Sequence, residues 1–251
     1  MAPTVEQLGV YAPLHRTCAL LKMREDEVMA IFCLFYGVFV CMPMPWMRDP
    51  FWRKVYGTVM GLFIGFYGFG VCFWNIVIYV LIGWVLIRFL PSRIAPQATM
   101  AFGSIGLLLR QYHTYQQGGF PGFTDIKCLM LIAIKLGTIG ANYKDAVAIA
   151  KKEDKLMTSR ERLYAEPVAQ PPTFFEWCNF FFFVGTVCFG MPLEYKHFDE
   201  FINLKGDYGK MRPGSQVRPA LVRTGQGFLC LGLMQIMKKY FEPETLLVDS
   251  F

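Results

Sequence analysis

The 251 residues are 54% hydrophobic and 16% aromatic, with 24 phenylalanines and only 18% charged residues, against roughly 25% charged in soluble domains. A formal charge of +6 is read as loop topology and contact with anionic headgroups; no basic stripe interleaved with stacking aromatics lies outside the apolar runs, which argues against nucleic-acid binding. The eight cysteines (18, 33, 41, 72, 128, 178, 188 and 230) contain no CxxC pair, so neither a disulfide framework nor a zinc site is suggested, and thiols within apolar runs behave as small hydrophobes.

Mean hydropathy is +0.35, and the apolar residues gather in runs separated by charged connections. The pattern predicts an all-α, polytopic transmembrane protein of about six or seven membrane segments. The N-terminus lacks a compact apolar leader, and MREDE at 23–27 lies just before the first long apolar run. That run, 28–46, therefore reads as a retained first span. Pro43, Pro45 and Trp46 mark its end, and Arg48, Arg53 and Lys54 beside Trp52 form a cationic, aromatic interfacial belt.

Residues 56–90 carry one charge, Arg88. As one helix they would be about 50 Å long, too long for one span. Gly65, Gly68 and Gly70 mark a break, so two short spans with a tight turn near 68–75 are expected. Segment 94–109 is weaker, and its small residues suit close helix packing. Residues 110–125 form a polar, Gly/Pro-rich connection, and 126–141 are the next span. Residues 142–172, including KKEDKLMTSRER, form the longest polar stretch, a solvated loop with a helical portion. The apolar run 174–191 follows, then a basic connection to Arg218 and a final span at 220–237. The chain reads as a single membrane domain, 1–251, with 143–172 as a polar cytosolic loop within it.

The positive-inside rule places 47–54, 88–93 and 143–172 in the cytosol and 110–125 on the lumenal side. It conflicts at 174–191. If that run crosses, the basic loop 193–219 falls in the lumen; if the run is re-entrant or strongly tilted, the loop stays cytosolic. Half-crossing backbone is tolerated where it is buried in protein or lines a wet cavity.

Lys135 is the most informative single residue, because a charge in mid-span costs about 2.5–3.5 kcal/mol on insertion scales. Thr138 and Asn142 share its helical face, so the stripe is expected to face a protein interior or cavity; the alternative is a lysine that snorkels to the interface. His15, His113 and His197 all lie outside the deep apolar runs and read as loop or interfacial residues. Glu194 and Tyr195 suit headgroup binding or an interfacial hydrogen-bonded pair. No Ser/His/Asp arrangement, phosphate-cradling glycine loop or HExxH pattern occurs.

The stretch Phe181-Phe182-Phe183-Val184-Gly185 through Gly190-Met191-Pro192 to Tyr195-Lys196-His197-Phe198 resembles a block of the membrane-bound O-acyltransferase (MBOAT) family. The segment LIAIKLGTIGAN around Lys135, the polar loop after it, the approach PPTFFEW and the upstream FWRKVYGTVMGLFIGFYGFG occur in the same order there. The FFVG run and the closing FEPETLLVDSF are most similar to the lysophosphatidylinositol and lysophospholipid acyltransferase branch. Family usage has Gly-Pro where this chain has Gly190-Met191-Pro192, so the exit turn differs by a residue.

The resemblance implies a partial MBOAT fold, its N-terminal half, in the endoplasmic reticulum or another endomembrane. It also implies membrane lipids, lysophospholipid and acyl-CoA as partners, acyl-CoA being a co-substrate, with no cofactor and no metal. Lys135, Asn142, Glu194 and Tyr195 match the family region that helps form the membrane chamber and are carried over as substrate-chamber lining. The family's catalytic His and Asn lie in a second half, so no catalytic residue is carried over. The expected function is the N-terminal portion of an acyl-CoA-dependent lysophospholipid O-acyltransferase, inactive alone, with a second chain as one source of the other half. The competing function is a non-catalytic scaffold or lipid-binding subunit of a larger membrane complex.

Overall fold

The computed structural model describes residues 25–70, 73–116, 125–151, 171–187 and 193–238. Every regular element among them is helical, in agreement with the all-α expectation. The chain divides into two compact units, Met1–Gly209 and Lys210–Phe251.

Helix α1 (Glu25–Cys41) stops short of Trp46, because Pro43 and Pro45 cannot donate to a helical ladder. They set instead a separate 3-10 turn at Met44–Trp46. Helix α2 (Pro50–Phe69) opens with proline in its first position, and the Asp49 carboxylate accepts from the Phe51 N–H at 2.9 Å. It ends at Gly70, whose φ of +53° lies in the left-handed region that glycine adopts without a Cβ penalty. Helix α3 (Phe73–Phe89) follows. The long apolar run is thus split in two within the expected 68–75, at Gly70, while Gly65 and Gly68 lie inside α2.

Helix α4 (Ala95–Gln116) and helix α5 (Asp125–Ala150) are both longer than their apolar segments. Polar residues after Leu109 and Ala141 mark a change of surroundings, but Gln, Lys and Ala sustain a helix. The first part of the 143–172 loop is therefore helical; the rest, 152–170, lies outside the described residues. The pair packs closely, as the small residues of 94–109 predict. A Cβ on Gly103 would meet Ala133 Cα at 3.0 Å, and one on Gly140 would meet Thr99 Oγ1 at 2.5 Å.

The run 174–191 is not one helix. Helix α6 (Phe174–Phe181) has 8 residues, about 12 Å, and is followed by a break at 182–183 and the single turn α7 (Val184–Val187). Helices α8 (Tyr195–Ile202) and α9 (Asp207–Lys210) follow. In the second unit, α10 (Val217–Lys238) covers the expected 220–237 segment.

No helix among the described residues is long and apolar enough to cross a membrane. The most apolar, α3, has 17 residues, about 26 Å against a hydrocarbon core of about 30 Å. Longer helices dilute their apolar stretches with Gly, Gln, Lys and Arg. Even so, α3 is apolar all round: Phe73, Ile76, Val80, Gly83 and Ile87 are buried, while Trp74, Ile78, Leu81, Ile82 and Val85 are exposed.

The core of the first unit forms around the broken run. Trp177, Phe180, Phe181, Phe182, Phe183, Val184 and Val187 are all buried there with Ile64, Phe73, Ile76, Leu136 and Phe198. On α2, Arg53, Gly57, Gly61 and Gly65 form an inward stripe at spacing four. A Cβ on Gly61 would collide with the Phe182 carbonyl oxygen, so α2 lies directly against the backbone of the break.

Candidate functional site

A helix that stops inside a core leaves its last carbonyls without partners. At the end of α6, the Phe182 N–H returns to Cys178 O at 2.9 Å, and the Phe180 carbonyl is met from across the core. Lys135 of α5, 1% exposed, donates from Nζ to Phe180 O at 3.1 Å and to Thr186 Oγ1 at 2.8 Å. The ammonium also sits 4.9 Å from the Phe180 ring centroid and 5.9 Å from that of Phe181. A cation at a helix C-terminus complements the macrodipole, and ring faces add attraction in a desolvated site. Among the described residues Lys135 forms no ion pair with a carboxylate, so carbonyl, hydroxyl and rings supply its compensation. Thr186 in turn lies 3.3 Å from Phe183 O. Lys135 thus joins α6 and α7 across their break, and it does not snorkel.

The rest of the expected stripe diverges. Thr138 donates back to the Lys135 carbonyl at 3.0 Å, a local helical bond. Asn142, two turns further along α5, is half-buried, and its Nδ2 is enclosed without a hydrogen-bond partner among the described residues. Tyr195 is buried and packs edge-on against Phe180, with centroids 5.3 Å apart. Burial first, then the charges of Glu176 and Asp199, push its phenol above the ordinary value. Glu194 is half-buried at the N-cap of α8, where its side chain makes no capping bond. Phe180 therefore brings Lys135 and Tyr195 together; Asn142 stands apart along α5.

Of the histidines, His113 sits in the last turn of α4 with Nδ1 3.3 Å from Arg110, and His197 on α8 has Nδ1 3.8 Å from Glu200. His15 lies outside the described residues. Among the described residues, Cys41, Cys128, Cys178 and Cys230 are free thiols and no group of His, Cys, Asp and Glu could hold a metal.

Two polar features escaped sequence reasoning. Arg53 is not part of an interfacial belt: it is 1% exposed, its Nη2 donates to Phe201 O at 2.9 Å and its Nη1 to Met47 O at 3.3 Å. Its guanidinium lies 4.6 Å from the Phe201 ring centroid. Its register with Gly57, Gly61 and Gly65 was the available signal, since a stripe of small residues marks the packed face of a helix. The second is a polar link between α2 and α6, in which Thr58 Oγ1 donates to Asn179 Oδ1 at 2.5 Å while Asn179 Nδ2 donates to Phe175 O at 2.7 Å. No pattern in the sequence pairs those residues.

No family profile matches the chain. Among curated proteins it is 24% identical to bovine (Bos taurus) lysophospholipid acyltransferase 5, over 88% of this chain and 43% of that protein. It is 23% identical to the proteins of the same name from mouse (Mus musculus) and rat (Rattus norvegicus), in each case over 99% of this chain and 50% of the relative. The chain is related to the lysophospholipid acyltransferases. The resemblance read from the FFFFVG block, the Lys135 segment and their order is matched by this relationship. The chain spans about half the length of the curated relatives it matches.

Proposed function

We propose that this chain is the N-terminal, membrane-embedded portion of an acyl-CoA-dependent lysophospholipid O-acyltransferase that takes a lysophosphatidylinositol-like acceptor at an endomembrane, in the endoplasmic reticulum or beyond it. The observation that carries this reading is the similarity to proteins named lysophospholipid acyltransferase 5 along most of the chain. A lipid surrounding is supported by the outer face of α3, where Trp74, Ile78, Leu81, Ile82 and Val85 are exposed together; such a contiguous apolar face marks a membrane or partner surface. Helices slightly shorter than the hydrocarbon are accommodated by local thinning of the bilayer.

The reaction moves an acyl group from its CoA thioester to a lysophospholipid hydroxyl, with a histidine as general base. In this reading the present residues build the lipid chamber rather than the base. Lys135 positions the wall by holding α6 to α7. Asn142 offers to a polar part of the lipid an enclosed amide N–H group that has no partner among the described residues. Glu194 and Tyr195 stand where the apolar run gives way to charge. A non-catalytic, lipid-binding scaffold is the second reading, favoured by the placement of His113 and His197 outside the core and beside partners on their own helices.

The chain reconstituted in phosphatidylcholine vesicles tests both. We expect saturable binding of lysophosphatidylinositol, weakened by Asn142→Leu, and no turnover of radiolabelled acyl-CoA above a heat-killed control. Turnover would overturn the expected inactivity. Failure to bind any lysophospholipid would remove the acyltransferase reading, and co-purification at fixed stoichiometry with unrelated membrane proteins would favour the scaffold.

A further inference from the structure

Away from the Lys135 clamp, the start of α2 carries a groove of about 560 Å³, within the range of small-ligand sites. Its described lining includes Met47, Arg48, Trp52, Tyr56, Val59 and Met60. The wall is pinned at several points. Arg53 Nη1 holds the Met47 carbonyl, and Nη2 ties it to Phe201 of α8. The Tyr56 hydroxyl donates to Val40 O at 2.9 Å, and the Tyr36 hydroxyl to Met60 O at 3.3 Å, both bonds joining α2 to α1. Such pinning preorganises a site, so little ordering cost remains for a ligand.

The chemistry of the lining is that of an amphiphile. Along α2 it is apolar and aromatic, with Trp52 and Val59 more than half exposed. Arg48, also in the lining, is exposed, and among the described residues its guanidinium makes no hydrogen bond or ion pair. Among the described lining residues the one carboxylate, Asp49, is committed to the Phe51 N–H at 2.9 Å, at a helix N-terminus whose partial positive charge offsets it. A planar guanidinium is suited to bidentate contact with phosphate, while Trp46 beside it is exposed and Trp favours the headgroup level.

We propose that this groove holds one anionic phospholipid of the surrounding bilayer, its acyl chain along Trp52, Tyr56 and Val59 and its phosphate on Arg48, as a bound lipid that is not acylated there. The inference rests on the membrane-embedded reading. Charge complementarity at an otherwise apolar groove selects an anionic lipid over a zwitterionic one, and the bilayer supplies that lipid at the surface where Arg48 stands.

The test photolabels the purified 251-residue chain in phosphatidylcholine nanodiscs. Each sample is doped with a phosphatidylserine or a phosphatidylcholine that carries a diazirine on one acyl chain, and the adducts are mapped by peptide mass spectrometry. Labelling between 47 and 60 should be about fivefold stronger with phosphatidylserine, the preference that one basic residue near the surface supplies. Arg48→Gln should abolish that preference, and Val59→Trp, which fills the groove from an exposed position, should abolish labelling there by both lipids. Equal labelling by the two lipids, a preference that survives Arg48→Gln, or loss of the phosphatidylserine adduct to micromolar acyl-CoA would each overturn the proposal; the last would assign the groove to the thioester. Adducts on the exposed face of α3 report the membrane reading separately. If α3 is labelled and 47–60 is not, the groove fails alone; if neither is labelled, both fail.

Discussion

Replacing Lys135 separates the packing of its stem from the electrostatics of its ammonium. Lys135→Met keeps the length of the side chain and removes the charge. Two hydrogen bonds from a charged donor are lost, to Phe180 O and Thr186 Oγ1, at about 1.5–3 kcal/mol each, with about 0.5–2 kcal/mol of cation–ring attraction. Against this, an ammonium no longer has to be taken out of water, which returns several kcal/mol. These terms nearly cancel, so Lys135→Met should lie within about 2 kcal/mol of the parent. Lys135→Ala removes the same charge and also empties the volume of the stem beside Phe180 and Phe181. It should fall below Lys135→Met by about 2–5 kcal/mol, the usual cost of truncating a long buried side chain to alanine.

Thermal unfolding in a mild detergent, followed by near-ultraviolet circular dichroism, reads the difference between the two variants as a Tm gap on the order of 10 °C. Equal stability of the Ala and Met variants would refute the packing argument. A Met variant as damaged as the Ala variant, and both far below the parent, would show that the cation itself holds the break together.

Gly61→Ala should destabilise by about 1–3 kcal/mol, because its Cβ would meet the backbone carbonyl of Phe182 and overpacking is not relieved by a rotamer change. Gly68→Ala, whose nearest contact would be Cys33 Sγ at 3.6 Å, should stabilise by up to about 1 kcal/mol through helix propensity; chemical denaturation of both variants reads the opposite signs. Thr173→Ala removes the hydroxyl partner of the capping box with Glu176 at the start of α6 and should cost about 1 kcal/mol, visible as faster amide exchange at 174–177. Tyr195 carries a phenol pKa raised by burial and by Glu176 and Asp199, so it stays protonated in the fold while the unfolded phenol ionises near pH 10. Its contribution is present below about pH 10 and is lost as pH rises toward the folded value. Tyr195→Phe should therefore flatten the alkaline fall in stability; an unchanged alkaline limb would show that Tyr195 titrates normally.

The sequence by itself determined the local events. Gly70 divided the long apolar run, ending its first helix at a φ of +53° that glycine adopts without a Cβ penalty. Small residues in 94–109 forecast the close approach of Gly103 to Ala133, and the order of the aromatic block and the Lys135 segment carried the resemblance to acyltransferases. Apolarity alone, however, could not tell one span from a broken pair. The break in 174–187 persists because Gly61 admits the Phe182 carbonyl and Lys135 reaches Phe180 and Thr186 from positions 45 and 51 residues away. Arg53 is internal for the same reason, since its acceptor at Phe201 stands 148 residues along the chain. A buried cation is tolerated only where the fold delivers its partners, and those partners are a property of the tertiary structure.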